Sequence, residues 1–170
     1  MKNKLQFLFL FLILMIPVII FLVLKGFGTN QFAIPVYYEN GIPQEQQFDC
    51  NFAAGPYTIS WPADLQPETP AAIYVGDVAE SRNMVRRIAK NRETATQVYL
   101  LDVQENEIDG AVSVTFDKER IQTLLHCTFA SDTLNQWILV DGMNRVRGYY
   151  NQSLEEQDRL LDEISILLTE

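Results

Sequence analysis

The chain has 170 residues, of which 48% are apolar, and carries a formal charge of −9. This length has room for one globular domain and one additional segment. All 22 Asp and Glu lie beyond residue 38, and only ten Lys and Arg lie beyond residue 25. The chain after residue 25 therefore carries a formal charge of −12 and is not expected to bind nucleic acid.

The first element is an apolar run of 18 residues, Phe7 to Leu24. With Leu5 added, and at about 1.5 Å per residue, the run is long enough to cross a hydrocarbon core of roughly 30 Å. A cleaved signal peptide is the alternative, but its apolar core is usually about 7 to 15 residues and ends at small residues, whereas Lys25 follows here. We predict an uncleaved membrane anchor over residues 1–25.

The flanking cations predict the orientation of this anchor. Lys2, Lys4 and the terminal amine precede the run, and Lys25 alone follows it. The more positive flank stays in the cytoplasm. We therefore expect a single-pass protein of the inner (cytoplasmic) membrane with its C-terminal domain in the periplasm.

The next segment, residues 26–54, is rich in Gly, Asn, Gln and Pro and is predicted to be a tether, with the folded domain at 55–170. Its apolar patch, FAIPVYY, predicts a short edge strand, because Pro35 cannot donate a hydrogen bond to a central ladder. YTISW, residues 57–61, predicts a second short strand.

From residue 71 the pattern becomes regular. AAIYV predicts a strand, and Asp77 and Glu80 have the spacing of a capping box before a helix. The predicted apolar face of that helix is Val78, Ser81, Met84, Val85 and Ile88. QVYLLDV then predicts a buried strand, NEIDG a turn, and VSVTF another strand.

The remaining elements are two helices and a hairpin. Asp117 is predicted to cap a helix with the apolar face Ile121, Leu124 and Leu125. A hairpin should follow, with strands at 136–140 and 145–149 and a turn at Asp141 and Gly142. Ser153 and Glu156 form a second capping box, and the predicted buried stripe of the last helix is Leu160, Leu161, Ile164, Leu167 and Leu168.

This order predicts an α/β fold with a mixed sheet and helices on both faces, as in the thioredoxin-like fold, preceded by one transmembrane helix. We expect the hairpin residues Ile138, Val140 and Val146 to share one core with the last helix. Arg147 alternates with Val146 and is expected to face solvent.

Residues 138–168 resemble the C-terminal part of the SCO/SenC family, membrane-anchored thioredoxin-like proteins that help deliver copper to cytochrome c oxidase. IPVYYENG resembles the segment that joins anchor to domain in some bacterial members, and VSVTFDKERIQTLLHCTF loosely resembles the strand and helix before their copper-binding His. The resemblance implies a thioredoxin-like fold and a link to respiratory oxidase maturation. The family motif is carried by Leu139, Val140, Asp141, Arg147, Gly148, Tyr149 and Tyr150.

The chain departs from the family at the copper ligands. The family binds copper through a C-x-x-x-C pair after the first core strand and one His near the last hairpin. Here YVGDVAESRN contains no cysteine, Thr133 stands at the His position, and the helix between the second and third core strands is shortened to QENEIDGA. Without thiolate and imidazole ligands we expect no copper centre and no cofactor.

Two cysteines, Cys50 and Cys127, and one histidine, His126, are left for thiol or metal chemistry. A structural disulfide, two unpaired thiols, and a redox or metal role are the three alternatives. Adjacent helical residues point roughly 100° apart, so His126 and Cys127 are a poor chelating pair.

Two other clusters have ordinary structural explanations. Half of the basic residues beyond residue 25 lie on one predicted helix, where we expect them to form a solvated face. Docking of this face to an acidic partner or an anionic membrane is the alternative. The basic residues are Arg82, Arg86, Arg87, Lys90 and Arg92. Tyr149 and Tyr150 are predicted to pack as an edge-strand pair under the last helix.

The function predicted from these residues is that of a non-enzymatic binding or assembly accessory with a protein partner. The alternative is thiol-disulfide exchange or residual copper binding through Cys50 and Cys127.

Overall fold

The computed structural model describes residues 6, 11, 13–22, 34–91 and 96–169. The chain divides into two compact units, Met1–Ala33 and Ile34–Glu170. In the first unit, residues 13–22 are helical. Among the described residues no helix is long and apolar enough to span a membrane, and much of the predicted anchor lies outside those residues.

The second unit contains one five-stranded mixed sheet, in the order β3-β2-β1-β4-β5. The parallel strands β1, β2 and β3 lie side by side, and β4 and β5 add an antiparallel hairpin next to β1. The prediction of an α/β fold with a mixed sheet is confirmed. The strands are β1 (Ala71–Val75), β2 (Gln97–Asp102), β3 (Val112–Thr115), β4 (Gln136–Val140) and β5 (Val146–Tyr150).

Within residues 34–91 and 96–169, three helices cover the sheet: α1 (Arg82–Ala89), α2 (Lys118–Cys127) and α3 (Leu154–Leu167). Successive side chains of a strand point to opposite faces. Ile73 of β1 packs in one apolar cluster with α2, whereas Tyr74 packs in another with α1 and α3. Helices therefore lie on both faces, which explains why β1 is apolar and buried at every position.

These two clusters correct the expectation of a single core for the hairpin and the last helix. Ile138, Val140 and Val146 pack on the α2 face, but Leu160 and Ile164 pack on the opposite face. It is Trp137 and Leu139, on the other side of the β4 pleat, that meet α3. The predicted stripe is also shorter than expected, because Leu161 and Leu167 are half-buried and Leu168 is 38% exposed.

The helix starts agree with the sequence in two cases out of three. Asp117 accepts the N–H of Arg120, and Ser153 accepts the N–H of Glu156. However, the Ser153 N–H donates to Asn151, so the second capping box forms only by half. The capping box predicted at Asp77 and Glu80 is wrong. Asp77 accepts the N–H groups of residues 79 and 80 in a turn, and α1 begins at Arg82 without a side-chain cap.

The connection between β4 and β5 is longer than predicted. It spans residues 141–145, with the Asp141 N–H donating to the Arg145 carbonyl, and a bulge shifts the register between Leu139 and Val140. β5 therefore starts one residue later than predicted. Arg147 is 4% exposed, so the expectation that it faces solvent is wrong.

Residues 34–54 belong to the same compact unit as the rest of the domain, so the boundary predicted at residue 55 is not observed. Between residues 34 and 70 the described chain contains one short 3-10 helix, Gln44–Gln46, and no strand, so both short strands were wrongly predicted. Tyr38 has a φ of 60°, which turns the chain after FAIPVY and prevents a continuous extended run.

Candidate functional site

The main candidate site is a cavity of about 480 Å³ at the carboxyl ends of β1 and β2. We call it the β1-edge cavity. Ligands of open α/β sheets bind at this edge, where the loops after the strands meet. Its floor comes from α2 and its rim from the loop before β4. The lining residues are Gly76, Asp77, Asp102, Val103, Lys118, Ile121, Gln122, Leu125, His126, Asp132, Leu134 and Asn135.

Asp102, the last residue of β2, fixes one side of this edge. It is 3% exposed, and its carboxylate accepts four hydrogen bonds from neutral donors. The backbone N–H groups of Val103 and Gln104 donate to Oδ1 at 2.6 and 3.3 Å. Val78 N–H and Asn106 Nδ2 donate to Oδ2 at 2.9 and 2.8 Å. The turn after β1 is thereby tied to the end of β2.

Asn135 fixes the other side. Its Oδ1 accepts the N–H of Asp77 at 2.8 Å and lies 3.3 Å from the hydroxyl oxygen of Tyr74. Asn135 approaches so closely that a Cβ added to Gly76 would lie 2.1 Å from this oxygen. Gly76 also has a φ of 146°, so glycine is required there. The turn that follows β1 is thus held by Asp102 and Asn135 together.

The side chains that the resemblance places at the family's copper positions, within residues 77–83 and at Thr133, do not fit Cu(I). Asp77 has its carboxylate engaged by two backbone N–H groups. Ser81 is buried, and its hydroxyl accepts from Tyr74 at 2.6 Å and Gln152 at 2.8 Å. Thr133 is exposed and donates to Asp132. None of these three side chains is a thiolate or an imidazole, and within the described residues no three His, Cys, Asp or Glu side chains gather as a metal site.

Cys50 and Cys127 form a disulfide with 5.4 Å between their Cα atoms, so the alternative of two unpaired thiols is wrong. Cys127 ends α2, and Cys50 follows the 3-10 helix. The ring of His126 stacks on Phe48 with 4.5 Å between centroids. Because the Cys127 sulfur is bonded to Cys50, it is not a thiolate ligand that could join His126.

Three tyrosine hydroxyls satisfy the carbonyls that follow α2. Tyr57 donates to Thr128 at 2.8 Å, Tyr149 to Phe129 at 2.5 Å, and Tyr38 to Ala130 at 3.2 Å. Burial raises the pKa of Tyr57 to about 12 and raises the pKa of Tyr149 further. These tyrosines therefore stay protonated donors at physiological pH.

Tyr149 and Tyr150 do not form the pair that was predicted. Tyr150 lies on the α3 face and donates to Glu163 at 2.5 Å, whereas Tyr149 lies on the α2 face. Gly148 leaves space for this arrangement, because a Cβ there would lie 2.2 Å from the Tyr150 hydroxyl.

The charged residues of the family motif are structural in this chain. Arg147 Nη1 lies 3.1 Å from Asp141 Oδ2, and Arg147 Nη2 donates to the Ile34 carbonyl at 2.8 Å. Asp141 also accepts the N–H groups of Met143 and Arg145. The motif thus closes the hairpin and attaches the start of the domain to β5. Leu139 and Val140 are fully buried in β4.

Acidic residues lie close to the basic side chains of the α1 region. Arg87 forms an ion pair with Asp158 and donates to Gln157 of α3. Arg86 and Lys90 line a depression that also contains Glu105, Glu107 and Asp109. Arg92 lies outside the described residues. The neighbouring acids weaken the attraction of this face for an anionic surface.

The sequence identified the cysteines and the motif but missed Asp102 and Asn135. A carboxylate at the end of a buried apolar strand was the available signal for Asp102. Comparison with family models, with curated proteins and with solved structures finds no match to this chain.

Proposed function

We propose that this protein is a membrane-anchored, exported SCO/SenC-like domain with a thioredoxin-like fold, which lacks a copper or redox centre and acts as a binding or assembly accessory. Its ancestry would connect it with respiratory oxidase maturation.

The sheet order supports the thioredoxin-like part of this proposal. The element sequence β1-α1-β2, then α2, then the β4-β5 hairpin and α3, gives the strand order β2-β1-β4-β5 with the hairpin antiparallel to β1. The thioredoxin-like core has this arrangement, and β3 is an additional parallel strand outside β2.

The single observation that carries the accessory role is the closed turn after β1. In the family this turn presents thiolates, whereas here it presents Asp77 and is fixed by Asp102 and Asn135. Beside it remains an apolar surface: Ile121 and Leu125 form a buried floor, and Val103 and Leu134 are 48% and 50% exposed at the rim. Exposed apolar side chains around a concave site are typical of protein contact surfaces.

Site-specific photo-crosslinking tests this role. A photoreactive phenylalanine in place of Leu134, in the full chain and in native membranes, should give a discrete adduct with a membrane or exported protein. The matched control replaces Met143, which is 68% exposed in the connection at the opposite end of β4. Equal adducts at both positions, or no adduct at Leu134, would contradict the proposal. An adduct with a protein that is unrelated to the oxidase would contradict only the link to oxidase maturation.

The location is tested separately. Protease added to spheroplasts should digest the domain while cytoplasmic control proteins survive, because the domain is proposed to be exported. Protection of the domain would overturn this orientation.

Thiol-disulfide exchange is the second candidate, and the half-exposed Cys50–Cys127 disulfide favours it. Exchange cysteines are usually activated at the N-terminus of a helix, whereas Cys127 ends α2, where the helix dipole disfavours a thiolate. Alkylation of the reduced full chain across pH distinguishes the roles: a thiol that reacts well below about pH 7 supports exchange.

A further inference from the structure

The loop of residues 42–56 makes few hydrogen bonds to the rest of the domain, and Phe52 packs edge-on against the ring of Tyr57 with 5.4 Å between centroids. Its hydrogen bonds are local: Gln46 to Pro43, Gln47 to Gln44 and Cys50 to Gln47. Among the described residues, no hydrogen bond links this loop to α2 or to the sheet. Residues 43–47 are exposed, and the one buried side chain of the loop is Ile42.

Two adjacent contacts connect this loop to the last turn of α2. Cys50 is bonded to Cys127, and Phe48 stacks on His126 with an interplanar angle of 16°. Phe48 and Asp49, the two residues before Cys50, have φ values of 45° and 61°, in the left-handed region that a bulky residue such as Phe48 rarely adopts. A disfavoured backbone conformation persists only where its surroundings hold it, and the disulfide is the covalent contact that does so.

The stacked rings separate two concave surfaces. His126 lines the β1-edge cavity, and Phe48 lines a second cavity of about 300 Å³ on the tyrosine side of the loop before β4. Asp132 lines both cavities. Moving Phe48 away would expose one face of the imidazole and alter the surface that a partner contacts.

The residues on either side of the loop are attached independently of the disulfide. Tyr38 and Tyr57 donate to carbonyls after α2, and Trp61 Nε1 donates to Asn144 at 2.9 Å. Arg147 donates a hydrogen bond to the Ile34 carbonyl. Loss of the disulfide should therefore release the loop while the flanking residues remain in place.

We propose that the Cys50–Cys127 disulfide is a redox-operated latch on the loop of residues 42–56. A dithiol reductant of the exported compartment transfers two electrons and two protons to the disulfide, so that Cys50 and Cys127 become thiols and the reductant becomes a disulfide. The freed loop carries Phe48 away from His126. A disulfide oxidant, which takes two electrons and two protons from the two thiols and becomes a dithiol, closes the loop again. This inference rests on the exported location proposed above, but it does not depend on the accessory role, and the protease test of location and the test below can fail separately.

Nuclear magnetic resonance of the full chain in detergent micelles tests the latch, because His126 is the single histidine and gives one imidazole signal. Reduction with dithiothreitol should move this signal toward that of a free histidine, since the ring current of Phe48 is lost, and reoxidation should restore it. Cleavage by chymotrypsin at Phe48 or Phe52 should become at least about tenfold faster in the reduced protein, because local opening controls proteolysis.

Two variants serve as controls. Phe48→Leu should give the shifted imidazole signal in the oxidised state, and Cys50→Ser with Cys127→Ser should give the opened state without reductant. An unchanged signal and cleavage rate after reduction would overturn the latch. Loss of the tertiary signals of the buried Trp137 on reduction would overturn it as well, because the disulfide would then hold the whole fold.

Discussion

Arg147 and Asp141 form a buried ion pair, with 3.1 Å between Nη1 and Oδ2 and with each side chain 4% exposed. Arg145 reaches the same oxygen at 2.7 Å from a more exposed position. Breaking such a pair leaves a desolvated charge without its partner, which is costly. The two charged residues of the SCO/SenC-like motif therefore stabilise the β4-β5 hairpin.

Replacing this arginine should destabilise the domain strongly. Arg147→Ala should lower the free energy of unfolding by roughly 3 to 5 kcal/mol, because Asp141 loses a buried partner and the Ile34 carbonyl loses its donor. Arg86→Ala, on an exposed helix face, should change it by less than about 0.5 kcal/mol. Urea denaturation of the two variants gives the comparison, and similar effects would contradict a structural role for the pair.

The same pair predicts how stability depends on pH. Burial raises the pKa of the Asp141 carboxyl, but hydrogen bonds from the Arg145 backbone, the Arg145 guanidinium and Arg147 outweigh burial, so the pKa lies below its ordinary 3.8. A lowered pKa contributes stability that is complete above the ordinary value and is lost as pH falls through the folded value. Between about pH 5 and about pH 2, wild type should lose more stability than Asp141→Asn. Urea midpoints that fall in parallel would refute this linkage.

Two neighbouring leucines of α3 test the packing of the last helix. Leu160 is fully buried against the sheet, whereas Leu161 is half-buried. Leu160→Ala should cost roughly 2 to 5 kcal/mol, and Leu161→Ala about 1 kcal/mol, because less apolar area is removed from the core. Thermal melts of both variants measure the difference. A larger loss for Leu161→Ala would mean that α3 is rotated relative to this packing.

The tyrosine hydroxyls after α2 can be tested one at a time. Tyr149→Phe should cost about 1 to 3 kcal/mol, because it removes the donor of the buried Phe129 carbonyl. Tyr37→Phe is the matched control: its ring packs against Tyr149, but among the described contacts its hydroxyl has no hydrogen bond, so the cost should stay under about 0.5 kcal/mol. Equal chemical denaturation midpoints would show that the hydroxyl of Tyr149 does not contribute.

Much of the sheet could be predicted from the sequence because burial leaves a periodic apolar pattern. β1 is apolar at every position because it is central and covered on both faces, and the spacing of Ile121, Leu124 and Leu125 identified the buried face of α2. Such local patterns are independent of the rest of the fold.

The orientation of Arg147 could not be predicted in the same way. Side chains alternate with a period of two, so the bulge at Leu139 and Val140 changes which residues of β5 face inward. Nothing in the local pattern indicates that bulge.

The site around Asp102 and Asn135 depends on long-range contacts. Asp102 reaches Val78, and Asn135 reaches Asp77, across separations of 24 and 58 residues. The disulfide is similar, since its cysteines are 77 residues apart and only the fold brings them together.

A Cu(I) competition titration tests the absence of the family's copper centre most directly. The full chain, with Cys50→Ser and Cys127→Ser so that reduction creates no new thiols, is titrated under reducing conditions against a chelator of moderate Cu(I) affinity. Because residues 77–83 contain no cysteine and position 133 is an exposed threonine, the protein should retain no copper. Retention of one Cu(I) per chain would contradict the proposal that this fold has lost its metal centre.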